Sequence, residues 1–291
     1  MDLRITHETV YDYTPAVETA QHVAYLQPLN TSCQTLLSHQ LDVFPTPALL
    51  TQTTDLYGNQ RTFFSLQSPH TQLRVVATSE VRTRAPQEAD STMSWETLRE
   101  GFRYHTDAAW NLATEFSFAS VHAPRHEEFT AYARPSFGPG VAALAAARDL
   151  MARIHADFTY ESQSTEIDTP ALEALAQRKG VCQDFAHIMI ACLRGIGMPA
   201  GYVSGFLRTI PPKGKQRLAG ADAMHAWVRV WCGQHDGWIE FDPTNAMLAG
   251  PDHITIGHGR DYTDISPIVG VLRTSHGGHD TKQSVDVIRV E

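Results

Sequence analysis

Short runs of alternating polar and apolar residues occupy residues 1–85. Clear examples extend from Leu3 to Tyr13 and from Leu73 to Arg84. Alternation with a period of two is typical of strands that bury one face. The residues that separate these runs are turn formers, among them Pro45, Pro47 and the sequence Tyr57-Gly58-Asn59. The pattern predicts a β-rich N-terminal domain over residues 1–85.

A helical period of apolar residues becomes clear only farther along the chain. Residues 86–138 have a mixed character and predict a partly helical connecting segment, whose end is marked by the Pro- and Gly-rich run from Arg134 to Gly140. The next segment, Val141 to Phe158, carries apolar residues at helical spacing. We therefore assign residues 139–291 to a second domain, which comprises a core and a C-terminal extension.

The strongest helical pattern begins at Cys182. Apolar residues recur three and four positions apart from there, at Phe185, Ile188, Met189, Cys192, Leu193 and Ile196. This spacing predicts a helix with one buried face, which the glycines and the proline at positions 195–199 would end. Three strand-like runs follow, Gly201 to Leu207, His225 to Trp231 and Trp238 to Asp242. The second and third runs are close enough to form a hairpin, so we expect an α+β fold.

Charge and composition exclude several functions. The chain has 291 residues, 42% hydrophobic residues and a formal net charge of -9. A sizeable core is therefore expected, and the field of the protein would repel phosphate groups and anionic lipid headgroups. We expect neither nucleic acid nor a membrane as a partner. The first residues lack the pattern of a signal peptide, and no run is long and apolar enough to cross a bilayer.

The four cysteines, Cys33, Cys182, Cys192 and Cys232, are widely spaced and include no Cys-x-x-Cys pair. This spacing fits neither a disulfide framework nor a zinc ribbon, and it favours the reducing cytoplasm as the location. The segment from His276 to Asp280 contains two histidines, but its spacing matches no well-defined metal site. The alternative is a solvated loop, and we expect neither a metal site nor a cofactor.

Cys182 combines a reactive side chain with a favourable position. The first turn of a helix has backbone N–H groups without helical partners and the positive end of the helix dipole, and both stabilise a thiolate. By contrast, Cys33 lies in a Ser/Thr-rich stretch, Cys192 continues the apolar series and Cys232 follows a strand at a turn. Those three cysteines have a structural explanation, so Cys182 is the candidate nucleophile.

The predicted hairpin offers this thiol a base and a carboxylate. Because side chains alternate along a strand, His225 and Asp242 lie on matching faces of the two strands. A four-residue loop, Cys232 to His235, would place His225 directly opposite Asp242. A two-residue turn at Asp236-Gly237 would pair His225 with Leu248 instead, beyond the proline at which a ladder should stop. We prefer the first register.

A cysteine beside a histidine that a carboxylate orients can form a thiolate and later protonate a leaving amine. Each feature alone has an ordinary explanation, since buried histidines on strands and aspartates before proline are common. Their joint placement predicts a triad of Cys182, His225 and Asp242 that attacks an amide carbonyl. The backbone N–H of Cys182 would supply one of the donors to the oxyanion.

Three motifs resemble those of the bacterial transglutaminase-like cysteine enzymes. They are Gly180-Val181-Cys182-Gln183-Asp184-Phe185-Ala186, Met224-His225-Ala226-Trp227-Val228 and Phe241-Asp242-Pro243-Thr244. The run from Leu3 to Tyr13 resembles the β-rich N-terminal region of that subfamily, and Gly259 to Pro267 resembles a segment near its end. The resemblance implies a papain-like, transglutaminase-like core in which the helix with the nucleophile packs on an antiparallel sheet. It also places nucleophile, base and orienting acid on Cys182, His225 and Asp242.

The resemblance singles out further residues near the triad. Some relatives place a tyrosine beside the cysteine, and Tyr160 is the candidate here, with an ordinary half-buried aromatic residue as the alternative. Gln183, Asp184 and Trp227 adjoin the triad residues in sequence and are candidates for an oxyanion donor or for orienting the triad. Packing alone would explain them equally well.

The same acyl-enzyme could react in two ways, which differ in the molecule that attacks the thioester. Water would make the protein a peptidase or amidase with a peptide or protein substrate, whereas a primary amine would make it a transglutaminase. We expect hydrolysis, because no sequence feature marks an amine acceptor site. A further alternative is a non-catalytic module whose β-rich domain recruits a protein, but a scaffold has no need of all three triad residues.

Overall fold

The computed structural model describes residues 1–103, 111–161, 169–209, 222–275 and 277–290. Within these ranges the strands are β1 (Asp2–Val17), β2 (Thr19–Ala24), β3 (Gln34–Phe44), β4 (Leu49–Thr54), β5 (Gln60–Leu66), β6 (His70–Thr83), β7 (Thr159–Tyr160), β8 (Lys179–Gly180), β9 (Ala200–Leu207), β10 (Ala223–Trp231), β11 (Trp238–Asp242), β12 (Met247–Leu248), β13 (His253–Gly259), β14 (Ile268–Arg273) and β15 (Gly278–Val290). The α-helices are α1 (Trp95–Glu100), α2 (Glu127–Ala133), α3 (Ala143–Asp157), α4 (Ala171–Gln177) and α5 (Cys182–Gly195). Short 3-10 helices cover Leu112–Ser117, Arg134–Ser136 and Tyr262–Ile265. The predicted α+β class is confirmed.

Two four-stranded antiparallel sheets form a sandwich. The first sandwich sheet has the strand order β15-β1-β6-β3, and the second sandwich sheet has the order β14-β2-β5-β4. They share an apolar core that includes Val43, Phe64, Leu66, Leu73 and Val75. Buried and less buried positions alternate along β1 and β6, which explains the sequence pattern of both strands. The predicted β-rich N-terminal region is thus confirmed.

The sandwich takes one strand of each sheet from the end of the chain. β15 pairs with β1 without a register shift, from Asp2 opposite Val290 to Thr14 opposite Gly278, and β14 pairs with β2. Both strands lie in the segment that the sequence analysis grouped with the second domain as a C-terminal extension. A hydropathy pattern reports that a strand is half-buried but not which sheet it joins, so it does not predict this pairing.

A five-stranded sheet, here called the central sheet, has the order β12-β11-β10-β9-β13 and packs against the helices. α5 contacts β9 and β10 as well as α2, α3 and α4. Every residue from Asp184 to Arg194 is buried, so the prediction of a single buried face was too narrow. The polar residues of this helix are buried because each has a partner: Asp184 bonds the Val181 N–H and His187 bonds the Tyr262 N–H.

A second apolar core joins the sandwich to the central sheet. It contains Leu3, Ile5, Val81, Val285 and Val287 from the first sandwich sheet and Phe206, Ile254 and Ile256 from the central sheet. None of these side chains is more than 2% exposed. Burying a side chain of this size contributes about 1.5–3 kcal/mol. The sandwich and the central sheet therefore form one packed unit.

Arg194 fixes the end of α5 that is opposite Cys182. Its guanidinium is 1% exposed and donates to the carbonyls of Phe116, Ala200 and Arg260 at 2.7–3.0 Å. Burial lowers the pKa of Arg194 to about 10, which still leaves it charged at neutral pH. One side chain thus ties three other chain segments to the helix that carries the candidate nucleophile.

Candidate active site

Cys182 is the first residue of α5, as the sequence predicted. The turn before it is fixed by Asp184, whose Oδ2 accepts a hydrogen bond from the Val181 N–H at 2.8 Å. Gly180 is required in this turn, because a Cβ there would lie 2.5 Å from Asp184 Oδ2. The motif from Gly180 to Asp184 therefore sets the position of the thiol at the start of the helix.

His225, on β10, links Cys182 to a carboxylate. Its Nε2 lies 2.8 Å from Oδ2 of Asp242, and its side chain lines the same cleft as Cys182, which is among the groups that raise the pKa of His225. Because Nε2 faces the carboxylate, Nδ1 is the ring nitrogen that faces the thiol. The structure thus brings the three predicted triad residues together in the order Cys182, His225, Asp242.

The hairpin that carries His225 and Asp242 has a different register from the predicted one. Trp231 pairs with Trp238, so the loop is Cys232–Gly237 and the direct pairing of His225 with Asp242 was wrong by two residues. Two glycines of this loop have positive φ values of 108° and 64°, which permit the longer connection. Since the shift is an even number of residues, both side chains keep to one face and meet diagonally.

Asp242 is fully buried and surrounded by hydrogen-bond donors. Oδ2 accepts from His225, His253 and Asn245 Nδ2 at 2.8, 3.0 and 2.7 Å. Oδ1 accepts from the backbone N–H groups of Thr244 and Asn245 at 3.0 and 3.2 Å. Burial alone would raise the pKa of Asp242, but these donors hold it well below its usual range. The carboxyl group is therefore ionised at neutral pH.

His253 and Asn245 are residues of this network that the sequence analysis missed. Asn245 had a local signal, since an aspartate often bonds backbone groups two or three residues later in a turn. His253 had none, because β13 enters the central sheet beside β9 and far from β11. Its Nδ1 accepts the Gly250 N–H at 3.1 Å, so Nε2 carries the proton that it donates to Asp242.

The surroundings of His225 favour its charged form. Burial opposes protonation, but hydrogen bonds and charge interactions with Asp242 and Cys182 raise the pKa of His225 to about 10. An imidazolium between a thiol and a carboxylate supports the thiolate that a cysteine nucleophile requires. The site can therefore provide both a nucleophile and a proton donor.

A cleft of about 280 Å³ opens at the triad. Its core side includes Cys182, Gln183 and His225, and its opposite wall belongs to the first sandwich sheet. That wall presents Thr9, Tyr11, Thr281 and Gln283. Apart from the cysteine and histidine of the triad, the described residues that line the cleft have side chains that are uncharged at neutral pH. The cleft is therefore nearly free of fixed charge.

Comparison with known proteins gives this fold and site a family. Residues 3–82 match the family described as the bacterial transglutaminase-like N-terminal region, and residues 130–243 match the transglutaminase-like superfamily. A protein of Mycobacterium tuberculosis, itself named as uncharacterized, is 38% identical over 296 residues, which cover 99% of this chain and 93% of that protein. This chain belongs to the transglutaminase-like superfamily. The resemblance seen in three sequence motifs is thereby confirmed.

Two more proteins extend the transglutaminase-like comparison. A protein-glutamine gamma-glutamyltransferase of Pseudomonas aeruginosa is 31% identical over 116 residues, which cover 37% of this chain and 17% of that protein. The crystal structure of a candidate cysteine protease from Cytophaga hutchinsonii superposes with a TM-score of 0.73 at 19% identity and covers 100% of this chain and 92% of that chain. This likeness shows that the two chains share a fold.

Of the other predicted residues, Tyr160 lies near enough to Cys182 to feel its charge, and Gln183 lines the cleft. Tyr160 is 55% exposed, and partial burial together with the nearby charge of Cys182 raises its pKa. Tyr202, which the sequence analysis missed, also lines the cleft. Burial is the largest cause that raises the pKa of Tyr202, and the charge of Cys182 is the next. Sequence could not single out Tyr202, because β9 is buried along nearly its whole length.

Asp184 and Trp227 have structural partners. Asp184 is occupied in the turn before α5. Trp227 is fully buried, its Nε1 donates to Glu240 Oε2 at 2.6 Å, and its ring centroid lies 5.9 Å from that of His225. Both side chains pack beside residues of the triad. Neither of the hydrogen bonds given above directs its side chain into the cleft.

Three side chains of this site are also of the types that bind metals. His225, Asp242 and His253 have ligand atoms within 4.8 Å of one another. Hydrogen bonding explains the cluster, because Gly250 fixes His253 in the form with its proton on Nε2, facing Asp242. In the tail segment considered as a metal site, His276 lies outside the described residues, and the other histidine is exposed on β15.

Proposed function

We propose that this protein is a cysteine-dependent amide-bond hydrolase, a peptidase or amidase that acts on a peptide or protein. The observation that carries the proposal is the grouping of Cys182, His225 and Asp242, in which His225 bonds Asp242 and lines one cleft together with Cys182. Acyl transfer through a thioester requires these groups in this order.

In the first step, the Cys182 thiolate attacks the carbonyl carbon of the amide, and His225 gives its Nδ1 proton to the nitrogen as the C–N bond breaks. The amine leaves and a thioester remains. In the second step, His225 takes a proton from water while the water oxygen attacks the thioester. The C–S bond breaks, the carboxylic acid leaves and the thiolate–imidazolium pair returns. Asp242 holds the Nε2–H throughout and stays ionised.

The negative oxygen of each tetrahedral intermediate needs two donors. The Cys182 backbone N–H supplies one in this proposal, and the hydroxyl of Tyr160 or Tyr202 supplies the other. Replacing the true donor by phenylalanine should lower turnover by about 10²–10³-fold, with the iodoacetamide reactivity of Cys182 unchanged. Full turnover in both Tyr160→Phe and Tyr202→Phe would contradict this assignment.

Selective alkylation tests the nucleophile without a known substrate. Near pH 6 an ordinary thiol with a pKa near 8.5 is almost wholly protonated, and burial raises the pKa of Cys232 to about 12. Iodoacetamide should therefore modify Cys182 first, and His225→Ala should slow that reaction markedly. Cys33→Ser is the matched control, since it removes the other cysteine that is partly exposed. Equal labelling of all four cysteines in native protein would favour the binding-module alternative.

Amine transfer is the competing reaction, and the similarity to the Pseudomonas aeruginosa glutamyltransferase is the reason to measure it. A glutamine-containing protein such as dimethylcasein would be incubated with a fluorescent primary amine, and incorporation and ammonia release would be followed together. We expect release to exceed incorporation, and Cys182→Ser to abolish both. Faster incorporation than release would identify a transferase instead.

The cytoplasm is part of the proposal. All four cysteines are free, which suits a reducing compartment. In the described ranges, no helix has the length and apolar character that a membrane span requires.

A further inference from the structure

On the face that it turns toward the central sheet, the first sandwich sheet carries apolar side chains at one end and mainly polar side chains at the other. Ile5 and Val287, which pair across β1 and β15, belong to the apolar core between the sheets. Farther along the same two strands, the pairs Thr9 with Gln283 and Tyr11 with Thr281 line the catalytic cleft. Because alternate residues of a strand share a face, one sheet face anchors the sandwich at one end and forms the wall of the cleft at the other.

β15 is the edge strand of this sheet, and the direction of its backbone groups follows from observed bonds. The Thr83 N–H donates to the Met1 carbonyl, so Met1 and Thr83 form a hydrogen-bonded pair. Bonded and non-bonded pairs alternate along an antiparallel ladder. The odd-numbered residues of β1 therefore bond to β6, and the even-numbered residues bond to β15. Their partners in β15 are the even-numbered residues. The N–H and C=O groups of the odd-numbered residues of β15 therefore point to the open edge. The Val287 N–H shows this direction, since it donates outward to Asp222 Oδ2 at 2.7 Å.

Among the residues that the structure describes, the edge of β15 is occupied at one end and open beside the cleft. Asp222 bridges to Val285 and bonds Val287, and both valines are buried. Thr281 and Gln283 are exposed. In the part of the chain that the structure describes, their outward backbone groups have no partner. An exposed strand edge of this kind can pair with another extended chain.

We propose that the substrate is an extended peptide that adds to β15 as a further strand, pairing its main chain with Thr281 and Gln283 and presenting an amide to Cys182. The proposal rests on the proposed hydrolysis and deepens it, because it names extended peptides as substrates in place of small amides. Main-chain pairing provides affinity with little demand on side-chain identity. The wall formed by Thr9 and Tyr11 adds a preference for uncharged side chains, since it offers no charged partner.

Proline at position 281 removes the outward N–H and leaves the ladder to β1 intact, because that N–H takes no part in the ladder. Proline is tolerated at such edge positions. Thr281→Ala is the matched control, since it removes the same side chain and keeps the N–H. The two probes are an N-capped tetrapeptide vinyl sulfone, which must bind as a peptide, and iodoacetamide, which needs only the thiol.

Thr281→Pro should lower the rate at which the tetrapeptide probe labels Cys182 about fivefold to tenfold relative to Thr281→Ala, the effect of one lost hydrogen bond. The iodoacetamide rate should be the same in both variants. Urea denaturation would verify that both are folded. Equal peptide-probe rates in two folded variants would overturn the proposal.

A second experiment uses the unaltered protein, so it decides the matter even where the proline variant does not fold. Two tetrapeptide vinyl sulfones of one sequence would carry N-methyl groups on alternate amides, in opposite phase. A paired peptide turns only alternate N–H groups toward β15. The probe that is methylated at those amides should react several-fold more slowly than the unmethylated peptide. The other probe should react at the unmethylated rate. Equal rates of the two methylated probes would overturn edge pairing. Absence of selective Cys182 alkylation would instead contradict the proposed function itself.

Discussion

Asp242→Asn is the most informative single change in the site, because the two side chains differ in what they can accept. Asparagine has one carbonyl oxygen and one NH₂ group, whereas the carboxylate of Asp242 accepts five hydrogen bonds, three at Oδ2 and two at Oδ1. In either orientation of the amide, its NH₂ group must face donors. The position therefore requires a carboxylate and not only a side chain of that shape.

The better orientation keeps the carbonyl at the Oδ2 position and turns the NH₂ group toward the N–H groups of Thr244 and Asn245. A buried donor without an acceptor costs about 1–3 kcal/mol. Two such donors predict a loss of about 2–6 kcal/mol in the free energy of unfolding, and relaxation of the turn favours the lower part of that range. His225 also loses the charge that supports its imidazolium, so turnover should fall by about four orders of magnitude.

Urea denaturation at several pH values and initial rates on a cleaved peptide measure the two effects separately. The lowered pKa of Asp242 means that its ionised form stabilises the fold above the pKa of an unfolded aspartate, near 3.9. The stability difference between wild type and Asp242→Asn should thus be full above about pH 4 and shrink as the pH falls below it. Asp149→Asn, an exposed change on α3, is the control and should alter neither quantity. A variant at position 242 with the wild-type urea midpoint and near wild-type turnover would refute the reasoning.

Three further changes test the surroundings of the triad. Gly180→Ala should destabilise the fold by about 1–3 kcal/mol and slow Cys182 alkylation, because its Cβ would lie 2.5 Å from Asp184 Oδ2; unchanged urea and iodoacetamide results would show that the turn adapts. The pKa of His225, raised from 6.5 to about 10, means that its charged form stabilises the fold fully below about pH 6.5 and less as the pH rises toward 10. Urea curves should show this loss in wild type but not in His225→Ala. Trp227→Phe removes the donor to Glu240 and should cost about 1–3 kcal/mol with little effect on turnover, so a large loss of turnover at normal stability would assign the indole a direct role.

The sequence predicts the elements whose pattern is local. Periods of two and of about four residues identified β1, β6, α5 and β10, since each buries at least one regular set of apolar side chains. Cys182 could be placed at a helix start for the same reason, and the faces of His225 and Asp242 follow from strand alternation alone. These inferences hold even though the register of the hairpin was wrong, because an even shift preserves the face.

Features that depend on long-range pairing could not be predicted in this way. His253 reaches Asp242 only because β13 joins the central sheet beside β9. The length of the loop before β11 depends on two glycine conformations that a hydropathy pattern does not encode. His187 and Arg194 of α5 misled the prediction of its exposed side, because their hydrogen-bond partners include residues of distant segments.

The return of β14 and β15 to the sandwich has a consequence for synthesis on the ribosome. Strands β1 to β6 emerge first, the whole central sheet follows, and β14 and β15 emerge last. Until then β1 and β2 each lack one neighbour, and Leu3 and Ile5 lack the valines of β15 that help to cover them. The nascent chain therefore carries two bare strand edges while the central sheet is still being made, a state prone to aggregation. The residues of the triad emerge before β14 and β15, but the wall that faces them is completed only when β15 has left the exit tunnel.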